Sequence, residues 1–157
     1  MKIKDFMHRN TASVLSNCSL EEVIKIMALQ RINGIPIVDE NQKVIGFISQ
    51  HDIIKALLPN YLTVISSNIF LTEFIQLSKK LKEYAHFQVK EFMNKEVITI
   101  NEDDNEVMAA DLLIRYKIHH LPVLRNGYLA GIVTMRDLLK AMIEQEEEQE
   151  SNQEQET

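Results

Sequence analysis

Residues 46–56 read GFISQHDIIKA, and residues 131–141 read GIVTMRDLLKA. Both stretches carry the pattern Gly-x-x-Ser/Thr-x-x-Asp, followed by an apolar run with helical spacing. We expect a strand to end at the hydroxyl residue of each stretch and a helix to begin directly after it. Similarity of this kind between distant parts of one chain indicates an internal repeat.

The repeat extends towards the N-terminal side of both stretches. Residues 3–7 (IKDFM) match residues 89–93 (VKEFM), and residues 32–38 (INGIPIV) match residues 118–124 (IHHLPVL). Because the three matches occur in the same order, the chain is a tandem duplication. The second copy is one residue shorter in a turn between two strands, where a deletion disturbs a fold least.

Each copy is predicted to fold in the order β-α-β-β-α, with β-branched residues favouring the first strand. The first helix of each copy opens with the spacing of a capping box, at residues 19–22 and 103–106. Two short apolar strands then form a hairpin, which residues 126–127 (Asn-Gly) close in the second copy because both tolerate positive φ. The last helix begins near Ser49 or Thr134.

The repeats also predict the domain organisation. We place repeat 1 at residues 1–60, a helical linker at 61–88, repeat 2 at 89–143 and an acidic tail at 144–157. One copy of about 50–60 residues builds only a marginal core. The two copies are therefore expected to pack as a pseudo-twofold pair with clefts between them, in an α+β fold.

The linker carries an apolar stripe. Spacings of 4, 3, 4 and 3 residues indicate an amphipathic helix with one apolar side: Phe70, Phe74, Leu77, Leu81 and Tyr84. Two interpretations stay open. The helix packs on its own module, or it forms a dimer contact or a lid.

The acidic residues are concentrated in the tail. The 157-residue chain has 17 Lys and Arg and 23 Asp and Glu, a formal charge of −6. Residues 144–157 hold 7 of the Glu and no Lys or Arg, which leaves 17 basic and 16 acidic residues elsewhere. Like charges along a helix repel, and acidic groups oppose the dipole at its C-terminal end. We therefore predict a disordered, solvated tail, with a specific acidic docking segment as the alternative.

Composition excludes several classes of protein. No apolar run reaches the roughly 18–20 residues that span a bilayer, and the first residues lack the apolar core of a secretion signal, so we expect a cytoplasmic protein. Cys18 is the one cysteine, which excludes an internal disulfide framework and a cysteine-based metal site. His119 and His120 are adjacent, so on a strand they point to opposite faces and do not chelate one metal ion.

The chain resembles a pair of CBS domains, the module named after cystathionine β-synthase. Three motifs carry the resemblance, each once per copy: Lys-Asp/Glu-Phe-Met at 4–7 and 90–93, Ile-x-x-Ile/Leu-Pro-Ile/Val at 32–37 and 118–123, and Gly-x-x-Ser/Thr-x-x-Asp at 46–52 and 131–137. Each motif alone is weak, but their order and spacing, found twice, are specific. The resemblance covers residues 1–58 and 89–143.

The resemblance implies a disc-like module with two clefts for adenosine-containing ligands: AMP, ADP, ATP, S-adenosylmethionine or cyclic di-adenosine monophosphate. Such modules act as sensors, have no catalytic centre and often form homodimers. We therefore predict a non-catalytic regulatory module that binds such a ligand in the cleft between the repeats and signals to an unknown effector protein. A structural or dimerisation module with vestigial clefts is the alternative, and no catalytic residue set supports an enzyme. No cofactor, metal, membrane or nucleic-acid partner is implied.

The Gly-x-x-Ser/Thr-x-x-Asp motif indicates how a nucleotide binds. Free N–H groups and the dipole at a helix start favour phosphate, and an ionised Asp, which only accepts hydrogen bonds, suits a ribose diol. In the family that the chain resembles, the Asp binds ribose hydroxyls, the Ser or Thr lies near phosphate, and the Ile/Leu-Pro segments and strand starts surround adenine. The candidate ligand-binding residues are Ser13, Ile35, Pro36, Ser49, His51, Asp52, Thr99, His120, Leu121, Pro122, Thr134, Arg136 and Asp137.

Helix capping is a competing interpretation of the same motif. A Ser or Thr followed three residues later by Asp is an ordinary capping pair, worth about 1 kcal/mol to its helix. Capping alone therefore explains both residue types without any ligand.

The two candidate sites differ in charge. Directly before the Asp, the second copy has Arg136, whose guanidinium group can donate two hydrogen bonds to one phosphate. The first copy has His51 at this position, which is mostly neutral near pH 7. The site with Arg136 is expected to bind a phosphorylated ligand more tightly, unless Arg136 is simply solvated. The residues expected to line the two clefts differ as well, since His120 of the second copy corresponds to Gly34 of the first.

Overall fold

The computed structural model describes residues 1–58 and 71–155. Its helices and strands are, in chain order, α1 (Ile3–Phe6), β1 (Val14–Leu15), α2 (Leu20–Gln30), β2 (Gly34–Val38), β3 (Val44–Ser49), α3 (Gln50–Leu57), α4 (Leu71–Tyr84), a short 3-10 turn (Val89–Glu91), β4 (Ile100–Asn101), α5 (Glu106–Arg115), β5 (His120–Arg125), β6 (Tyr128–Thr134) and α6 (Met135–Gln155). They form two compact units: unit A is Ala12–Val97, and unit B is Met1–Thr11 together with the chain from Ile98 onwards.

Unit A is built on a three-stranded mixed sheet. Its central strand β2 pairs parallel with β1 and antiparallel with β3, and α2 and α3 pack on this sheet. Half of the predicted capping box of α2 is present: the Ser19 side chain accepts a hydrogen bond from the Glu22 N–H, and the Glu22 carboxylate accepts from the Cys18 thiol instead of reaching back to Ser19. One core joins the elements through the buried residues Val14, Leu20, Val23, Met27, Ile35, Ile37, Ile48, Ile53, Leu57 and Val89.

Unit B repeats this arrangement, with β5 between the parallel strand β4 and the antiparallel strand β6. The predicted hairpin turn is confirmed, since Asn126 and Gly127 have φ values of 52° and 84°. The core contains Ile3, Met7, Ile100, Ala109, Leu113, Leu121, Val123, Val133 and Leu138. The predicted α+β fold with the order β-α-β-β-α in each copy is therefore confirmed.

The predicted cap of α5 was placed two residues too early. The N-cap is Asn105, whose side chain accepts from the Met108 N–H. Asp103 instead binds the ammonium groups of Lys2 and Lys4, at 3.0 and 2.8 Å. The helix therefore starts after this carboxylate, which belongs to an ion-pair cluster with the N-terminal segment.

The segment that opens repeat 1 packs in unit B. Ile3 and Met7 are buried in the unit B core. The N–H of Ile3 donates to the carbonyl of Asp104, and that of Lys4 to the carbonyl of Glu102, both at 2.9 Å. This N-terminal segment is thus held by backbone hydrogen bonds as well as by apolar burial.

The segment that opens repeat 2 makes the corresponding contacts in unit A. Val89 is buried in the unit A core, and its N–H donates to the carbonyl of Cys18 at 2.7 Å. The N–H of Lys90 donates to the carbonyl of Ser16 at 3.2 Å. The compact units therefore exchange the opening segments of the two sequence repeats, a feature that the repeat alignment does not reveal.

The motif glycines receive these exchanged segments. A Cβ on Gly46 would overlap the sulfur of Met93, and a Cβ on Gly131 would lie 2.5 Å from the carbonyl oxygen of His8. Each Gly therefore allows another part of its own unit to approach its backbone closely.

The linker helix packs on its own unit. Leu77, Leu81 and Tyr84 of α4 contact the unit A core, which favours the first of the two interpretations for this part of the stripe. Phe70 and the side chain of Phe74 lie outside the described residues.

The last helix continues into the acidic segment. α6 begins at Met135 and extends to Gln155, beyond the predicted end of repeat 2. The disorder of residues 144–157 stays a prediction. Within residues 1–58 and 71–155, no helix combines the length and the apolar character that crossing a membrane requires.

Candidate ligand-binding sites

The strand–helix junction of unit A brings Ser49 and Asp52 together. Ser49 is the last residue of β3 and the N-cap of α3. Its N–H and its hydroxyl both donate to Oδ2 of Asp52, each at 2.9 Å, and the Asp52 N–H donates back to Oγ of Ser49 at 3.1 Å. The motif is therefore a complete capping box, so the capping interpretation is correct for Oδ2 of Asp52.

The junction of unit B has the same geometry. The N–H and hydroxyl of Thr134 donate to Oδ2 of Asp137 at 2.8 and 2.7 Å, and the Asp137 N–H lies 3.4 Å from Oγ1 of Thr134. Asp137 is buried, with 8% of its surface exposed. A carboxylate is thus held at the first turn of α6 in a fixed orientation.

A second residue contacts the carboxylate of Asp137. Nε2 of His8 lies 2.6 Å from Oδ1 of Asp137, while 69% of the His8 side chain is exposed. His8 reaches this place because its backbone pairs with Ile132 of β6 through hydrogen bonds of 2.9 and 3.0 Å. Sequence reasoning missed His8, since its position depends on the exchange of the opening segment.

Asn94 is the counterpart of His8 in unit A. It follows the VKEFM segment as His8 follows IKDFM, and its backbone pairs with Phe47 of β3 at 2.8 and 2.9 Å. Its side-chain oxygen accepts from the N–H of Glu96. Among the described residues, Oδ1 of Asp52 has no hydrogen bond or ion pair.

The central strands bring further predicted residues to each junction. Gly34 lies opposite Ser49 in the register of unit A, and His120 lies opposite Thr134 in unit B. Burial lowers the pKa of the His120 imidazole; the charge of His119 lowers it further, and the carboxylate of Asp137 opposes the shift. His120 is therefore a neutral side chain beside the Asp137 carboxylate at neutral pH.

The two Ile/Leu-Pro segments lie inside the units. Ile35 and Leu121 are fully buried core residues, and Pro36 and Pro122 are also buried. Successive residues of a strand point to opposite faces, so each Pro lies on the face of its sheet opposite the core-facing residue before it.

The strand starts lie beside these prolines. Val14 pairs with Ile37 in unit A, which places Ser13 at the register position next to Pro36. In unit B, Ile100 pairs with Val123, and Thr99 takes the corresponding place beside Pro122. Both hydroxyl residues are partly exposed. Each unit thus collects its own half of the candidate residues.

His51 and Arg136 are exposed on the first turns of α3 and α6. In the part of the chain that the structure describes, neither side chain has a hydrogen bond or ion pair. The cationic group of Arg136 is therefore available to a ligand, and it is also free to be solvated, as in the alternative interpretation.

Among the described residues, neither a metal-binding cluster nor a reactive thiol accompanies these sites. Among residues 1–58 and 71–155, no group of three His, Cys, Asp or Glu side chains is arranged to hold a metal ion. Burial, with a hydrogen bond to Glu22, raises the pKa of the Cys18 thiol to about 11, so this thiol is not a reactive thiolate at neutral pH.

An open groove of about 710 Å³ lies on unit A, away from the predicted residues. The groove is lined by Ser16, Ile45, Lys90, Glu91, Met93, Asn94, Lys95 and Glu96. None of these is a candidate ligand-binding residue. The groove mixes two Lys with two Glu and has no single-charge character.

Residues 3–59 and 89–144 each match the CBS domain. The chain belongs to the CBS-domain family. This CBS pair is 31% identical to an uncharacterised protein of Methanocaldococcus jannaschii, MJ1426, over 91% of this chain and 92% of the relative. It spans only 22% of the length of other curated relatives that it matches.

Solved structures of other CBS pairs have the same fold. CBSX2 of Arabidopsis thaliana, solved in complex with AMP, is 22% identical with a TM-score of 0.71, covering 92% of this chain and 98% of that one. The CBS pair of MJ0100, solved with 5′-methylthioadenosine and S-adenosyl-L-methionine, is 25% identical with a TM-score of 0.67, again over 92% and 98%. The resemblance inferred from the motifs is therefore confirmed.

Proposed function

We propose that this CBS pair is a non-catalytic regulatory module that binds an adenosine-containing ligand and signals to a partner protein. One observation carries the proposal. In both units the helix cap uses only Oδ2 of the Asp, which leaves the other carboxylate oxygen, Oδ1, outside the cap at the strand–helix junction. The CBS pair of MJ0100, which binds two adenosine-containing molecules, supports this choice of ligand class.

In this proposal the Asp binds the ribose. Its Oδ2 is committed to the helix start in both units, so the ribose hydroxyls bind the other oxygen, Oδ1. Phosphate, where the ligand has it, lies at the N-terminal turn of α3 or α6, next to free N–H groups and the positive end of the dipole. Adenine lies against the Pro of the central strand and the nearby strand start, Pro36 with Ser13 or Pro122 with Thr99.

The two sites are proposed to differ in their preference for phosphate. Arg136 offers a permanent positive charge beside the unit B site, and His51 takes the same place in unit A. AMP, ADP or ATP should therefore favour unit B, and a ligand without phosphate, such as S-adenosylmethionine, should discriminate less between the sites.

A ligand shifts a conformational equilibrium only if it binds the two states of the protein with different affinities. Regulation further requires a partner that distinguishes these two states of the module. We propose a homodimer as the assembly that an effector protein reads. Apolar side chains exposed on α5 and α6 of unit B support it: Val107, Ile114, Leu139, Met142 and Ile143. Large apolar side chains that a single chain leaves exposed are candidates for burial in a protein–protein contact.

A structural or dimerisation module is the second candidate. The completed capping boxes favour it, since they account for the two hydroxyl residues and for Oδ2 of each Asp without a ligand. The two candidates differ in one measurable property, the binding of a nucleotide.

A thermal-shift series tests the proposal. The purified chain is heated with AMP, ADP, ATP, S-adenosylmethionine or cyclic di-adenosine monophosphate, and a ligand at 100 times its Kd should stabilise the fold by about 2.7 kcal/mol. Because the ligand binds the native state alone, the Tm should rise with its concentration. Asp52→Ala and Asp137→Ala serve as site variants, and each should remove part of the shift.

The outcomes separate the two candidates. A rise of the Tm with at least one ligand, reduced in the Asp variants, supports the regulatory module. No shift with any ligand at millimolar concentration contradicts it and favours the structural module. Equal losses in the two Asp variants with AMP contradict the proposed difference between the sites.

A further inference from the structure

The carboxylate of Asp137 has few acceptor positions left. Each carboxylate oxygen accepts about two hydrogen bonds. Oδ2 receives the N–H and the hydroxyl of Thr134, which fill it. Nε2 of His8 lies 2.6 Å from Oδ1 and covers one side of this oxygen. While His8 stays there, at most one acceptor position on Oδ1 is open to a ligand.

Asp52 of unit A has one acceptor position more. Its Oδ2 is filled by the N–H and hydroxyl of Ser49 in the same way. Among the described residues nothing pairs with Oδ1, and the side-chain oxygen of Asn94, the counterpart of His8, accepts from the N–H of Glu96. Both acceptor positions of this oxygen are available.

A ribose diol brings two O–H donors. Oδ1 of Asp52 can accept both, whereas Oδ1 of Asp137 can accept one while His8 stays in place. A second hydroxyl therefore requires the His8 imidazole to leave. His8 can leave readily, because 69% of its side chain is exposed and water replaces its lost partner.

We propose that His8 is a specificity-determining residue of the unit B site, where it competes with the ribose hydroxyls for Oδ1 of Asp137. The inference rests on the proposed function, since it concerns how the adenosine ligand binds. His8 acts through Asp137 and weakens the binding of ligands with an intact diol. It leaves ligands without these hydroxyls unaffected.

This role is opposite to that proposed for Arg136. Arg136 favours the phosphate end of a nucleotide, and His8 opposes its ribose. The selectivity of unit B then depends on both ends of the ligand: the site discriminates against uncharged nucleosides, which gain nothing from Arg136 and must still displace His8.

Calorimetric titration of the full chain carrying Asp52→Ala, which leaves unit B as the nucleotide site, tests the competition. AMP and 2′,3′-dideoxy-AMP are the probes. Adding His8→Ala should tighten AMP binding by about 2- to 5-fold, the range that one exposed polar contact provides. The affinity for the dideoxy analogue should stay the same. The backbone pairing of His8 with Ile132 does not need the imidazole, so the variant should fold.

Two further variants serve as controls. His8→Gln keeps a donor of similar reach and should restore the wild-type affinity for AMP. Asn94→Ala, in a chain whose unit B site is removed by Asp137→Ala, should not change the ratio of AMP to dideoxy affinity at unit A.

Specific results overturn the inference. Equal effects of His8→Ala on both probes indicate a structural role, and weaker AMP binding indicates that His8 assists the ribose. A chain that binds AMP at neither site also contradicts the inference, and the thermal-shift series then shows whether the proposed function fails with it.

Discussion

At the scale of single residues, the two oxygens of one carboxylate separate two interpretations that the sequence leaves in competition. Oδ2 of Asp52 and of Asp137 completes a helix cap, while Oδ1 faces other partners or none. Capping and ligand binding therefore use different atoms of the same side chain. The Asp stabilises its helix whether or not a ligand binds, so its presence in the motif does not by itself identify a binding site.

His120 gives the folding stability a pH dependence. Burial, aided by the charge of His119, lowers its pKa below the ordinary value of 6.5 in the folded state. The unfolded chain therefore binds more protons as the pH falls below about 6.5, and the free energy of unfolding decreases. We expect His120→Gln to reduce this decrease, measured by urea unfolding between about pH 7.5 and 5.

The neighbouring His119 provides the control. His119→Gln removes the smaller cause of the shift and keeps the burial of His120, so most of the pH dependence should persist. An unchanged pH dependence in His120→Gln would show that other groups cause it.

At the scale of elements, the exchanged segments dock against the motif glycines. Gly131 faces a backbone oxygen, that of His8, whereas Gly46 faces mainly the flexible side chain of Met93. A side chain can rotate away from an added methyl group, and a backbone held by hydrogen bonds cannot. The two matched glycines should therefore tolerate substitution unequally.

Substitution of each glycine by Ala tests this difference. We expect Gly131→Ala to lower the free energy of unfolding by about 1–3 kcal/mol, the usual cost of overpacking, and Gly46→Ala to cost less. Urea unfolding of the two variants measures both values. A larger cost at Gly46 would contradict the docking geometry.

The elements also show what the sequence could predict. The duplication, the hairpins and the caps at Ser19, Ser49 and Thr134 follow from local patterns, because their partners lie within a few residues. The contact of His8 with Asp137 joins residues far apart in the chain, and the exchange that creates it leaves no periodicity. The N-cap of α5 at Asn105 differs from the predicted one for the same reason, since Asp103 is bound by Lys2 and Lys4.

At the scale of the whole molecule, the proposed homodimer depends on the apolar surface of α5 and α6. Leu139 is 56% exposed, so Leu139→Glu should disturb a dimer contact and change the folding stability little. Light scattering after size-exclusion chromatography should show a dimer for the wild type and a monomer for this variant. Lys140→Glu, at an exposed charged position, is the control and should stay dimeric. A monomeric wild type would contradict the homodimer.

The exchange of opening segments also sets the order in which the chain can fold during synthesis. Unit A is continuous, from Ala12 to Val97, so all of its core has been made once Val97 has left the ribosome. Unit B needs Ile3 and Met7, which emerge before unit A, together with β6 and α6, which emerge after it. The apolar side chains of the N-terminal segment therefore stay unburied while unit A forms. Of the segments in the two cores, this one is exposed longest to a chaperone that binds unfolded apolar segments.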